Sequence, residues 1–145
     1  MNEIIKIEWP DLDMEVRVKL LMDVNPILCK EIKETLPFKS IQSHAVVAGK
    51  QMYFPYRFIS ENKEYNFERM DKQPVGRINI ELDFQYFSIN YGLMTEPIPA
   101  LPIAQVIDED IQTLIQVGEK VWHNLLFSDT YLIVKVALGD ESGAR

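Results

Sequence analysis

The sequence predicts a mainly β protein: a β-barrel, or strongly curved antiparallel sheet, flanked by two α-helices. Three observations predict this. Apolar and charged side chains alternate with a period of two near the N-terminus and again over 76–91, the pattern of strands with one face on a core. Two other segments repeat their apolar residues every three to four positions, as amphipathic helices do. The long alternating stretch also changes phase once, so the sheet must bend or break there.

The first element is a hairpin. Ile5, Ile7 and Trp9 alternate with Lys6 and Glu8; beyond Pro10-Asp11-Leu12-Asp13, Met14, Val16, Val18 and Leu20 alternate with Glu15, Arg17 and Lys19. Proline and aspartate in the connection supply the turn. A short helix follows, with Asn25 as N-cap and Pro26 at its first position, where a missing N–H removes no bond. Leu28, Ile32 and Leu36 form its apolar stripe and Pro37 ends it. Cys29 lies beside that stripe with no histidine nearby in sequence, so it reads as a buried structural thiol.

Strand pattern returns over 40–58. His44 opens a segment running to Ala48, Gly49-Lys50 is the turn, and 51–54 is the return strand, broken or placed at an edge by Pro55. The charged stretch 60–74 reads as a surface loop with one short strand near 65–68. Over 76–91, Ile78, Ile80, Leu82, Phe84 and Tyr86 hold the apolar phase, and then Phe87, Ile89 and Tyr91 take it over. A bulge, or a break between two strands, is expected at Tyr86-Phe87. A stiff loop with Pro97, Pro99 and Pro102 comes next. The second helix spans 108–127, with Asp108, Glu109 and Asp110 at its positive end. Its stripe is Ile111, Leu114, Ile115, Gly118, Val121, Trp122 and Leu125. The last strand, 130–138, is apolar on both faces apart from Lys135 and is expected to be central.

One domain over 1–138 is expected, with a polar tail over 139–145. The apolar fraction of 47% is that of a globular chain. A net charge of −7, with no basic stripe, argues against nucleic acid as partner. The N-terminus alternates charge with aliphatic residues, unlike a signal peptide, and no apolar run approaches the ~20 residues that span a bilayer. No membrane partner and a cytoplasmic location are therefore expected. One cysteine and two histidines without ligand neighbours make a metal site unexpected.

Three groups of residues are candidates for chemistry. His44 is either a general acid or base at a barrel mouth, since histidine titrates near neutrality, or a strand-end ring bonded to backbone. Tyr53, Tyr56 and Arg57 either grip a small carboxylate ligand or belong to an aromatic core layer with Arg57 reaching outward. Tyr91, Thr95 and Glu96 stand at the root of the proline-stiffened loop, where Glu96 serves as a base with a raised pKa or simply helps the chain leave its strand. Trp122, Leu126 and Phe127 exceed what one helix face needs, so a homo-oligomer is expected.

Leu36-Pro37-Phe38, Tyr53-Phe54-Pro55 and a long strand ending in Tyr91-Gly92, in that order, resemble the small bacterial proteins of cyclophilin-like fold. Within that group, Ile89-Asn90-Tyr91-Gly92 followed by Thr95-Glu96-Pro97 is similar to a stretch of the cucumopine and mikimopine synthases. The resemblance covers about the first two thirds of the chain. It implies a closed β-barrel with flanking helices. It further implies a small-molecule enzyme that needs no cofactor and condenses an amino acid with a 2-oxo acid by imine formation and ring closure. Arg57, His44, Tyr91 and Glu96 are the groups available as carboxylate clamp and acid/base. Those synthases are longer, so the scaffold can be shared without the reaction; the alternative is a metabolite-binding or oligomerising module. Prolyl isomerisation is not expected, because neither the Phe-His-Arg nor the Gln-Gly-Gly type segment of true cyclophilins is present.

Overall fold

The computed structural model describes residues 3–139. Eight strands close into an antiparallel barrel: β1 (Ile4–Trp9), β2 (Met14–Leu20), β3 (Phe38–His44), β4 (Gly49–Pro55), β6 (Arg77–Glu81), β7 (Tyr86–Met94), β9 (Pro102–Val106) and β10 (Leu132–Leu138), in the order β1-β10-β3-β4-β7-β6-β9-β2. Two further short strands, β5 (Glu68–Arg69) and β8 (Pro99–Ala100), pair with each other outside it. Helix α1 (Pro26–Lys33) lies at the end of the barrel where β2, β4 and β6 finish. Helix α2 (Ile111–Phe127) crosses the opposite end, where β3, β7 and β9 finish.

The alternating side chains fill the barrel as the period of two demands. Ile5, Ile7 and Trp9 of β1, Val16, Val18 and Leu20 of β2, and Phe87 and Ile89 of β7 are all buried. Trp9 and Gln42 meet inside, the indole N–H donating to the amide oxygen at 2.8 Å, which satisfies two polar groups that burial would otherwise leave unpaired. An aromatic layer of Phe38, Phe54, Tyr56 and Phe87 fills the α1 end, with ring centroids 4.7–6.2 Å apart.

The phase change at Tyr86-Phe87 is a break between two strands. β6 and β7 form a hairpin in which Ile80 faces Phe87 and Glu81 faces Tyr86. Its turn carries Gln85 at φ +61 and leaves Phe84 75% exposed. Leu82 and Phe84 thus continue the alternation in sequence but belong to the turn, because hairpin geometry and not hydrophobicity sets where a strand stops.

Several expectations are corrected. Helix α1 ends at Lys33, four residues before Pro37. Asn25 makes no cap bond; its buried amide donates to the carbonyls of Asn66 and Pro102, tying the 60–74 loop to β9. His44 closes β3 instead of opening a strand, and 45–48 is a loop with Val46 and Val47 76% and 80% exposed. β9 was hidden by its leading prolines and nearly continuous apolar run, which carry no alternation. In α2, Val117 joins Leu114, Gly118 and Val121 in the buried stripe while Leu125 is exposed. β10 sits between β1 and β3, but only Leu132, Val134 and Val136 are buried. The 139–145 tail lies outside the described residues apart from Gly139, whose N–H donates to the carbonyl of Ile4.

Cys29 is buried, with its Sγ 3.3 Å from the carbonyl of Ile103, and burial pushes the thiol pKa up to about 11. Replacing Phe87, fully buried against three other rings, with alanine is expected to lower unfolding free energy by about 3–5 kcal/mol in urea denaturation, because the barrel cannot collapse onto the void.

Candidate functional site

The α2 end of the barrel carries a cavity of about 320 Å³, bordered by His44, the 45–48 loop, Lys50, Tyr91, Glu119 and Trp122. That volume is within the range of about 300–1,000 Å³ typical of small-molecule sites. Each element brings its residue for a local reason. Tyr91 continues the inward phase of Phe87 and Ile89 to the mouth, while Asn90 points outward and bonds Gln51 and Gln73. His44 terminates β3, on the same face as Gln42. Gly118 presents bare backbone to Tyr91: a Cβ there would meet Cε2 and Cγ of the ring at 2.5 Å. One turn on, Trp122 packs against His44 with the rings tilted by 52° and their centroids 4.7 Å apart.

His44 Nε2 lies 2.6 Å from the Tyr91 hydroxyl, and Nδ1 lies 2.7 Å from the carbonyl of Ala45. A carbonyl only accepts, so Nδ1 carries the proton and Nε2 accepts from the phenol. The backbone therefore fixes the tautomer that leaves Nε2 basic. Burial lowers the His44 pKa, partly offset by the Ala45 carbonyl and the charge of Glu119. Burial, with Glu119 again, pushes the Tyr91 phenol up to about 12. At neutral pH the pair is a neutral imidazole bonded to a neutral phenol. It can pass a proton through the phenol oxygen to Nε2 and back without forming a free phenolate.

Of the sequence candidates, the structure brings His44 and Tyr91 together and places the others elsewhere. Thr95 fastens the mouth loop, its backbone N–H and its hydroxyl both donating to the Ala48 carbonyl at 3.2 and 3.3 Å. Glu96 does not line the cavity; its charge acts on Tyr86, which pairs with Tyr53 on the outer face of β4 and β7. Tyr56 is in the aromatic layer at the α1 end, its hydroxyl 2.7 Å from that of Thr35. Arg57 is exposed at that same end, beside Phe58, Ile59 and Gln85. Tyr53, Arg57 and Glu96 therefore do not share the cavity with His44.

Lys50, Glu119 and Trp122 were not singled out as site residues. The signal for two of them was present: Gly118 in an apolar stripe marks a close approach, and Glu119 and Trp122 flank it on one helix face. Among the described residues, no three or more His, Cys, Asp or Glu side chains gather as a metal would need. No described helix is long and apolar enough to cross a membrane.

Two measurements follow from this geometry. Gly118→Ala would gain up to about 1 kcal/mol of helix propensity, but its methyl would overlap the Tyr91 ring. The melting temperature is expected to fall, and to fall no longer when Tyr91→Ala removes the ring. Because burial holds the His44 pKa below its ordinary 6.5, unfolding takes up a proton between the two values. This contribution to stability is full above about pH 6.5 and is lost as pH falls toward the folded-state pKa. His44→Gln is expected to shrink the loss of melting temperature between pH 7.5 and 5.

No family model matches the chain, and no curated protein matches it in sequence. Among solved structures the chain is similar to McbB in complex with tryptophan, with a TM-score of 0.83 and 28% identity over 94% of this chain and 45% of that one. The chain thus spans less than half the length of McbB. It is also similar to the hypothetical protein AF2241 from Archaeoglobus fulgidus, with a TM-score of 0.60 and 14% identity over 95% of each chain, a likeness of fold alone. One solved neighbour of this fold was thus determined in complex with a small molecule, tryptophan.

Proposed function

We propose that this protein is a small-molecule enzyme of cyclophilin-like, opine-synthase-related type that needs no cofactor. It acts on a carboxylate-bearing metabolite by acid–base catalysis at His44 and Tyr91. The observation that carries the reading is the 2.6 Å bond between His44 Nε2 and the Tyr91 hydroxyl at the wall of the mouth cavity. A neighbour with a TM-score of 0.83 that holds tryptophan supports an amino acid as one reactant.

The reaction is condensation of an amino acid with a 2-oxo acid to an imine, followed by ring closure. In the closure a nucleophilic ring carbon of the amino acid side chain bonds to the imine carbon and loses its C–H proton, and the imine nitrogen takes a proton. The amine nitrogen bonds to the carbonyl carbon, and the carbonyl oxygen leaves as water. Amine and carbonyl thus become imine and water with no oxidant or reductant. Twice over, Tyr91 takes a proton from the nitrogen as its own proton moves to His44 Nε2, and the relay runs backward to deliver a proton to the oxygen, first forming the hydroxyl and then releasing it as water. The Ala45 carbonyl, accepting from Nδ1–H, stabilises the transient imidazolium. Glu96 and Arg57 have no part in this scheme.

The test is to incubate the protein with pooled amino acids and 2-oxo acids and follow new masses equal to the sum less one water. Tyr91→Phe and His44→Gln are each expected to reduce turnover about 100-fold or more, the usual scale of a lost general acid or base, while Glu96→Gln leaves it unchanged. A Tyr91→Phe variant as active as the parent would remove the dyad. The rival reading is a metabolite-binding module, favoured by the chain's covering only 45% of McbB. It predicts thermal stabilisation by an amino acid with no turnover. Self-association through exposed Leu126 and Phe127 is part of both readings, and light scattering showing a monomer would remove it.

A further inference from the structure

The charged groups that border the mouth cavity are Lys50 and Glu119, and they face each other: Nζ lies 3.3 Å from Oε2. The geometry points to a clamp for the zwitterionic head of an α-amino acid, in which Lys50 holds the carboxylate and Glu119 the ammonium group. This rests on the reading of the cavity given above and assigns the substrate's two charged groups to two residues.

Three observations carry it. The pair is of opposite sign and spans the separation of charges borne two bonds apart on one α-carbon, so a zwitterion replaces one ion pair by two. A singly charged ligand would leave one partner facing a like charge or none. The pair is also easy to open: both side chains are more than half exposed, and ion pairs in that setting contribute about 0–1 kcal/mol. Finally, Lys50 is set in place by the backbone beneath it. Its stem lies across Gly92, where a Cβ would meet the lysine Cδ at 2.6 Å and Cβ at 2.9 Å. The glycine that follows Tyr91 thus lets the lysine lie flat beside the phenol. The remaining wall, Trp122 with exposed Val46 and Val47, is apolar and suits the side chain of the amino acid. The ammonium on Glu119 then sits on the wall that His44 and Tyr91 share, where its proton must leave.

Calorimetry with three probes sharing one ring tests this: L-tryptophan, tryptamine (no carboxylate) and indole-3-propionate (no amine). The intact protein is expected to bind L-tryptophan most tightly. Lys50→Met should weaken L-tryptophan and indole-3-propionate by up to about fivefold without weakening tryptamine. Glu119→Gln should weaken L-tryptophan and tryptamine without weakening indole-3-propionate. Equal losses for all three probes, no loss for any, or no binding of L-tryptophan by the intact protein would overturn the clamp. Tyr91→Phe keeps the two readings apart. A variant that turns over normally sinks the dyad and leaves the probe pattern standing. A flat probe pattern sinks the clamp whatever Tyr91→Phe does.

Discussion

Closure of the sheet is the constraint on which everything else depends. β10, the last strand, enters between β1 and β3, and β9 joins β2 to β6, so every strand of the barrel has two hydrogen-bonded neighbours. Closure removes the exposed edges that an open sheet would leave for aggregation. It also fixes the interior width. An eight-stranded barrel has room for little more than the side chains that fill it, and here Trp9, Phe54, Met52 and the aliphatic residues of β1, β2 and β6 do so. The His44–Tyr91 cavity therefore lies at an end of the barrel and not within it.

The two ends differ because the helices meet them differently. α1 sits over the aromatic layer, where Tyr56 spends its hydroxyl on Thr35. α2 crosses the other end on a glycine, and the missing side chain is what lets Tyr91 stand upright beneath it. With Trp122 one turn further on, the helix holds His44 from one side while Tyr91 holds it from the other. A space remains between this group and the 45–48 loop. Packing at one residue thus decides that one end is core and the other a cavity.

Burial then sets the chemistry of what lines that cavity. Charged forms are disfavoured where water is excluded, which lowers the histidine pKa and raises that of the phenol. Both groups rest neutral and joined by one short bond. Lys50 and Glu119 lie farther out, each more than half exposed, and pair with each other. The mouth is therefore graded, with the hydrogen-bonded His44–Tyr91 pair against the barrel wall and the Lys50–Glu119 ion pair toward solvent.

Period-two alternation by itself determined the fold class, the inward faces of β1, β2, β6 and β7, and the break near Tyr86, because a strand's faces follow from sequence spacing alone. Helical spacing likewise determined the end of α2 at Phe127, while the expected first turn, 108–110, is a 3-10 turn ahead of it. Spacing could not reveal β9, which is apolar without alternating, nor the early end of α1. The site was half legible: the chemical types of His44 and Tyr91 made them candidates, as they did Arg57 and Glu96. Only the tertiary structure chose among these. His44 and Tyr91 are 47 residues apart, and what brings them together is the antiparallel register of β3, β4 and β7 with a glycine on a helix some thirty residues further on. Contacts of that range depend on how strands close and helices dock, which no local pattern encodes.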